Sequence, residues 1–112
     1  MPKYLIEASY TEEGAKGLMK EGAAARRAEV QKMVESLGGC LDAFYFVFGQ
    51  NDVRVLLDLP GNVTAAVVSL AVMSTGAVRM KTTVLLTPEE LDEAVKTRVD
   101  YHPPGGPSKD ES

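Results

Sequence analysis

Residues 4–10 alternate strictly, with Tyr4, Ile6, Ala8 and Tyr10 on one face and Leu5, Glu7 and Ser9 on the other. A period of two marks a strand with one buried face. Thr11 offers a side-chain oxygen to the next free N–H groups, and Glu12 and Glu13 suit a helix N-terminus, but Gly14, Gly17 and Gly22 follow. Glycine weakens a helix interior, so only a short helical turn is expected there. The first full helix is predicted from about Ala23 to Leu37, with Ala23, Val30, Met33, Val34 and Leu37 inward and Arg26 and Arg27 more exposed. Gly38-Gly39 is its stop signal.

Two strand patterns come next: Leu41 to Phe48, with Phe44, Phe46 and Phe48 aligned, and Asp52 to Leu59, with Val53, Val55, Leu57 and Leu59 aligned. Only Gly49-Gln50-Asn51 separates them, and so short a link joins strands as an antiparallel hairpin. Pro60-Gly61 ends the second pattern, Asn62 is placed to cap a helix reaching Thr75, and Gly76 is placed to terminate it. From Ala77 to Leu86 the alternation returns, setting Val78, Met80, Thr82, Val84 and Leu86 against Arg79, Lys81, Thr83 and Leu85. Thr87-Pro88-Glu89-Glu90 combines a cap, a proline at the first helical position and a carboxylate at the third, which predicts a helix to about Arg98. The segment 99–112, rich in Pro, Gly and polar residues, cannot bury a face and is expected to be a flexible tail outside a domain spanning 1–98.

The order β-α-β-β-α-β specifies an α+β, ferredoxin-like plait with one antiparallel sheet, its first and third strands central, and an extra C-terminal helix. Two helices cover one sheet face. The other face then carries Glu7, Ser9, Ala43, Tyr45, Arg54, Leu56, Asp58, Arg79, Lys81, Thr83 and Leu85. Leu5, Val47, Leu56 and Leu85 would leave an apolar patch there, and soluble monomers rarely expose such patches beyond a few hundred Å². A homo-oligomer formed through the open sheet face is the expected assembly.

The chain has 112 residues, a formal charge of −4 and a sequence pI near 5.0. One core suits this length, and the acidic balance lacks the clustered Lys and Arg that phosphate backbones require, so nucleic acid is not an expected partner. No apolar run approaches the roughly 20 residues of a bilayer span, and a membrane partner is not expected. The single Cys40 and a start that runs straight into a strand point to a reducing cytoplasm.

Several runs resemble the GYD domain family: Tyr10 to Leu18, Ala25-Arg26-Arg27, Glu35 to Gly39, Phe46-Val47-Phe48-Gly49, Val78 to Thr83, and Thr87 to Glu90. The resemblance spans Met1 to about Lys96. That family carries a Gly, Tyr and Asp signature at the hairpin; Gly49 and Asp52 match it, and Asn51 stands where the tyrosine would fall. The resemblance implies a ferredoxin-like fold of the dimeric α/β-barrel type and carries no activity onto any residue.

For chemistry, the predicted sheet order brings Glu7, on a central strand, beside Arg54 and Asp58 on one neighbour and Arg79 and Lys81 on the other. With Ser9, Tyr45 and Thr83 these are the candidate ligand-binding residues, suited to a small polar ligand in a subunit-covered cavity. The same charges also suit an interface ion-pair network without any ligand. Gly14-Ala15-Lys16-Gly17 lacks the glycine spacing and the hydroxyl residue of a phosphate loop and reads as a turn. Cys40 is expected as a small buried hydrophobe. The one histidine, His102, lies in the tail, so no nucleophile–base pair and no metal-ligand spacing is found, and no cofactor or catalytic residue is assigned. Two functions remain open. One is a non-enzymatic oligomeric module for a small polar ligand or protein partner; the other is a cofactor-free oxygenase or isomerase of the dimeric α/β-barrel type.

Overall fold

The computed structural model describes residues 1–106. The last part of the expected tail, 107–112, lies outside the described residues.

Four strands, β1 (Lys3–Tyr10), β2 (Cys40–Phe46), β3 (Val53–Asp58) and β4 (Val78–Leu85), form one antiparallel sheet in the order β2-β3-β1-β4. The first and third strands are central, as the element order requires. Leu5 stands opposite Leu56 and Thr83, and Glu7 opposite Arg54 and Lys81. Between β2 and β3 a bulge at Asp42 pairs Leu41 with Leu57 and then Ala43 with Leu56. The extra residue resets the alternation, so Leu41 and Phe44, three positions apart, both join the helix-covered side.

Helices α1 (Glu12–Glu21), α2 (Ala23–Ser36) and α3 (Asn62–Met73) lie on that side. The core consists of Tyr4, Ile6 and Ala8 from β1, Val53, Val55 and Leu57 from β3, and Leu59, Val34, Ala65 and Val68 around them. The six strand residues are positions picked out by alternation on the two central strands. α2 rests mainly on β2 and α3 on β4. Gly38, at φ 82°, and Gly76, at φ 74°, take the left-handed backbone that ends each helix.

The first helical segment corrects the expectation of a single turn, since α1 runs ten residues. Thr11 Oγ1 accepts from the Gly14 N–H at 3.2 Å, and Glu12 and Glu13 occupy the first turn. Gly14 is required by packing: a Cβ there would sit 2.0 Å from the Ala77 carbonyl oxygen. Gly22, at φ 97°, marks the boundary between α1 and α2. Gly14 is thus a contact residue and Gly22 an end residue, Gly17 meets nothing within 4 Å, and the cap outweighs their low propensity.

Other expectations are corrected locally. Asn62 is not a cap: the N-cap is Gly61, without a side-chain bond, and Asn62 Oδ1 accepts instead from the Tyr4 hydroxyl at 2.7 Å. A buried phenol without a partner is costly, and that need takes the amide. Phe48 lies fully exposed in the hairpin because β2 ends at Phe46. Val84 and Leu86 are exposed on the edge strand β4 and just beyond it. Ala23 is exposed at the start of α2. Cys40 is also exposed, because its register opposite Asp58 places it on the open sheet face.

Helix α4 (Pro88–Lys96) has the expected capping box, with Glu90 Oε1 accepting from the Thr87 N–H at 2.9 Å and Thr87 Oγ1 from the Glu90 N–H at 3.1 Å. It buries no residue, and the molecule extends to 64 Å along its longest axis. Among the described residues, no helix is long and apolar enough to cross a membrane.

Candidate functional site

On the open sheet face, pairing register arranges the side chains in rows across the strands. One row is Tyr45, Arg54, Glu7 and Lys81; the next is Ala43, Leu56, Leu5 and Thr83; the third is Cys40, Asp58, Lys3 and Leu85. Ser9 and Arg79 stand opposite each other beyond the first row. All eight candidate ligand-binding residues therefore share this face. Six lie on one side of the apolar row, Thr83 lies within it and Asp58 lies beyond it, so they do not gather at one point.

Within the first row, Glu7 Oε2 lies 3.5 Å from Arg54 Nε. The Glu7 side chain is 20% exposed and that of Arg54 55%, so the pair is wet on one side and contributes little by itself. Lys81 faces Glu7 by register, but no ion pair joins them among the described residues. Across the apolar row, Lys3 Nζ bonds to Asp42 and lies 3.0 Å from Asp58 Oδ1. These two carboxylates, Asp42 first, raise the Lys3 ammonium above its ordinary pKa. Asp58 thus belongs to the Lys3 group and not to the Glu7 group. Among the described residues, no three His, Cys, Asp or Glu side chains converge as a metal site would need.

The opposite, helix-covered side holds a cleft of about 310 Å³ between α2 and α3. Its floor is formed by Ile6 and Ala8 of β1 with Val53 and Val55 of β3, and its walls include Val30 and Met33 from α2 and Val68 and Val72 from α3. The seating of the helices on opposite sheet edges opens this space over the central strands. Polar groups enter it from Tyr10, Arg26, Glu29 and Thr75. Arg26 NH1 approaches Glu21 Oε2 at 3.7 Å, while the Arg26 Nε–H is enclosed and donates to no acceptor among the described residues. Burial holds the Tyr10 phenol above its ordinary pKa, although the nearby Arg26 charge pulls it down.

Arg26, expected to be more exposed than the inward residues of its helix, keeps 36% of its side chain exposed but also lines the cleft, which the expectation did not include. The signal was present in the sequence, because Arg26, Val30, Met33 and Leu37 fall at intervals of four, three and four and share one stripe. A long arginine stem can take an apolar position while its head reaches the rim.

A family model for the GYD domain matches residues 4–95. The chain belongs to the GYD domain family. No curated protein and no solved structure matches it. In this GYD domain the hairpin signature has a structural role that can be read directly. The Asp52 N–H donates to the Ala8 carbonyl at 2.9 Å, its carboxylate accepts from the Tyr10 N–H at 2.8 Å, and its carbonyl accepts from the Val47 N–H at 2.8 Å. Asp52 therefore ties the hairpin to the end of β1. Asn51 lies in the loop just before it, outside both strands.

Proposed function

We propose that this GYD domain is a homodimeric binding module whose two copies pair through their open sheet faces. One observation carries the reading. Along β1 the outward residues run Lys3, Leu5, Glu7, and along β3 they run Arg54, Leu56, Asp58, so the charge changes sign on either side of the apolar row. A two-fold axis laid along that row returns each of these four charges onto its opposite, while Lys81 of β4 falls against the Leu85 position of the second copy. Glu7 then meets the partner subunit's Lys3, Arg54 meets the partner subunit's Asp58, and Leu5 and Leu56 meet their own copies. An isologous interface needs this self-complementarity.

The geometry tolerates sheet twist. Each charge stands two residues from the axis, about 7 Å, and an alignment angle near 30° displaces it by about 3.5 Å, less than one strand spacing. An axis along the strands would instead set the row of Arg54 and Lys81 against itself. In the favoured arrangement the ion pairs occupy the open face, and they hold the copies in register without any catalytic role. Sedimentation at micromolar concentration tests the reading, and a species of twice the 12.0 kDa chain mass is expected. A monomer at these concentrations would refute it.

A further inference from the structure

We infer that helix α4 of one copy docks at the start of β4 in a second copy, where its Glu89 and Asp92 hold Arg79 of that copy. The inference rests on the dimer proposed above and names the surface that takes α4, which the charges of β1 and β3 leave undecided.

Register sets the contact. Thr83 belongs to the row on the proposed two-fold axis, so it meets its own copy. Two residues out, Lys81 falls against Leu85; four residues out, Arg79 falls against Thr87. Thr87 is still extended, at φ −74° and ψ 160°, and it is the N-cap of α4. Arg79 therefore stands beneath the first turn of α4 in the second copy. A crossing angle near 30° shifts this pair sideways by about 7 Å, a gap that a long arginine and a carboxylate side chain can span together.

Charge selects the residues. β4 exposes Arg79 and Lys81 and carries no carboxylate, and neither cation makes an ion pair among the described residues. Of the carboxylates on α4, Glu90 accepts from the Thr87 N–H and Glu93 lies 3.7 Å from Lys96. Glu89 and Asp92 make no ion pair among the described residues, and their spacing of three puts them on one flank of the helix. They lie about 3 and 7.5 Å beyond Thr87 along the helix, at the height of Arg79. The positive end of the helix dipole, roughly half a charge, opposes the arginine, but two carboxylates outweigh it.

Only a second copy can make this contact. Within one chain, six residues of strand separate Arg79 from Leu85 by about 20 Å, and an α4 folded back along β4 would return Asp92 by only about 7.5 Å. Asp92 also adjoins Leu91 and lies three residues before Val95, both exposed. Turning its flank toward Arg79 lays that apolar stripe against the second copy as well.

Hydrogen exchange on the full chain, with sedimentation at the same concentrations, tests the contact without a variant. A free nine-residue helix frays, so the amides of α4 should exchange about tenfold more slowly where the chain is a dimer than at dilutions where it is a monomer. Arg79→Glu should raise the dissociation constant about tenfold and remove that protection, as should Glu89→Lys with Asp92→Lys. An equimolar mixture of the two variants sets opposite charges at both contacts and should restore dimer and protection together. A dimer whose α4 exchanges as fast as in the monomer would overturn the inference and leave the dimer standing. Protection that is the same at every concentration would also overturn it, because that is the mark of α4 packed on its own chain. So would folded variants that fail to recover a dimer on mixing. A monomer at every concentration would refute the dimer and the docking of α4 with it.

Discussion

Inverting the charges of one row, while keeping the pair within each chain intact, gives the sharpest test of the proposed two-fold axis. Lys3→Glu with Asp58→Lys preserves an opposite-charge neighbour pair in place of the 3.0 Å bridge, and Glu7→Lys with Arg54→Glu does the same for the 3.5 Å bridge. Across the axis either double variant sets like charge against like charge at every pair. Taking about 1 kcal/mol for a partly wet pair in each direction, the two symmetry-related pairs joining positions 54 and 58 alone change dimerisation by about 4 kcal/mol. That corresponds to roughly a thousandfold in dissociation constant. Each double variant should therefore sediment as a monomer where the wild type is a dimer.

Mixing the two variants reverses the outcome. The inverted row of one then faces the native row of the other with opposite charges at every contact, as does the second half of the interface. An equimolar mixture should recover a heterodimer, seen by native mass spectrometry with one chain isotopically labelled. Asp42 and Lys81 each gain a like-charged neighbour within a chain, so thermal melts of each variant at dilution are the control for folding. The reasoning is refuted if either double variant dimerises like the wild type, as it would with the axis along the strands. It is equally refuted if both are folded monomers that ignore each other.

Two glycines of α1 should respond in opposite directions. Gly14→Ala drives a Cβ into the Ala77 carbonyl and should destabilise by about 3 kcal/mol or more, whereas Gly17→Ala meets nothing within 4 Å and should stabilise by about 0.5–1 kcal/mol, both read in denaturant melts. The Tyr10 phenol, its pKa raised by burial, keeps its proton to higher pH when folded than when unfolded. Its contribution to stability is thus complete below pH about 10 and lost as pH rises through the folded value, so Tyr10→Phe should flatten the alkaline fall in melting temperature. Glu7→Gln removes the carboxylate beside Arg54 that would also face Lys3 of a second copy in the proposed dimer, and a melt at matched protein concentration should show a loss of about 1 kcal/mol. Truncation after Asp100 removes only residues with no helix or strand among those described, and calorimetry should show a melting temperature lowered by less than about 8 °C.

The strands were legible because a period of two needs nothing beyond the strand itself: Tyr4, Ile6, Val55 and Leu57 are buried where alternation places them. The Thr87-to-Glu90 capping box was legible for the same reason, being closed within one turn. What local pattern could not supply was long-range demand. Gly14 looks like a helix breaker until Ala77, far along the chain, is seen against it. Asn62 looks like a cap until the Tyr4 hydroxyl claims its oxygen. The candidate residues of the open face share one face as the alternation implied, but their division by the Leu5–Leu56 row depends on register, which two apolar alternating strands do not fix from sequence. The cleft was hidden for a similar reason. Arg26 carries the stripe position of an inward residue and the chemistry of an outward one, and only the spacing of α2 and α3 on the sheet shows that it is both.

The size of the open face bears on what else the proposed dimer would have to use. Four strands at about 4.8 Å spacing and eight residues at about 3.4 Å rise give a flat footprint near 19 by 27 Å, about 500 Å² per copy. Stable interfaces bury about 800 Å² per partner, so the sheet alone falls short even after allowance for side-chain relief. Helix α4 is the element with area to spare. Leu91 and Val95 lie four residues apart on one side of it and are 55% and 77% exposed, while Leu86, just before the helix, is 62% exposed. Helices this short are marginal on propensity alone, and α4 buries no residue in its own chain, so its apolar stripe is available to the proposed interface. The two-fold axis along the apolar row stacks the β4 strands of the two copies in opposite directions, so each α4 leaves its sheet near the start of the partner's β4. In the proposed dimer the charge pattern of β1 and β3 would set the register of the pair, and the apolar stripe of α4 would supply the area that the charges cannot.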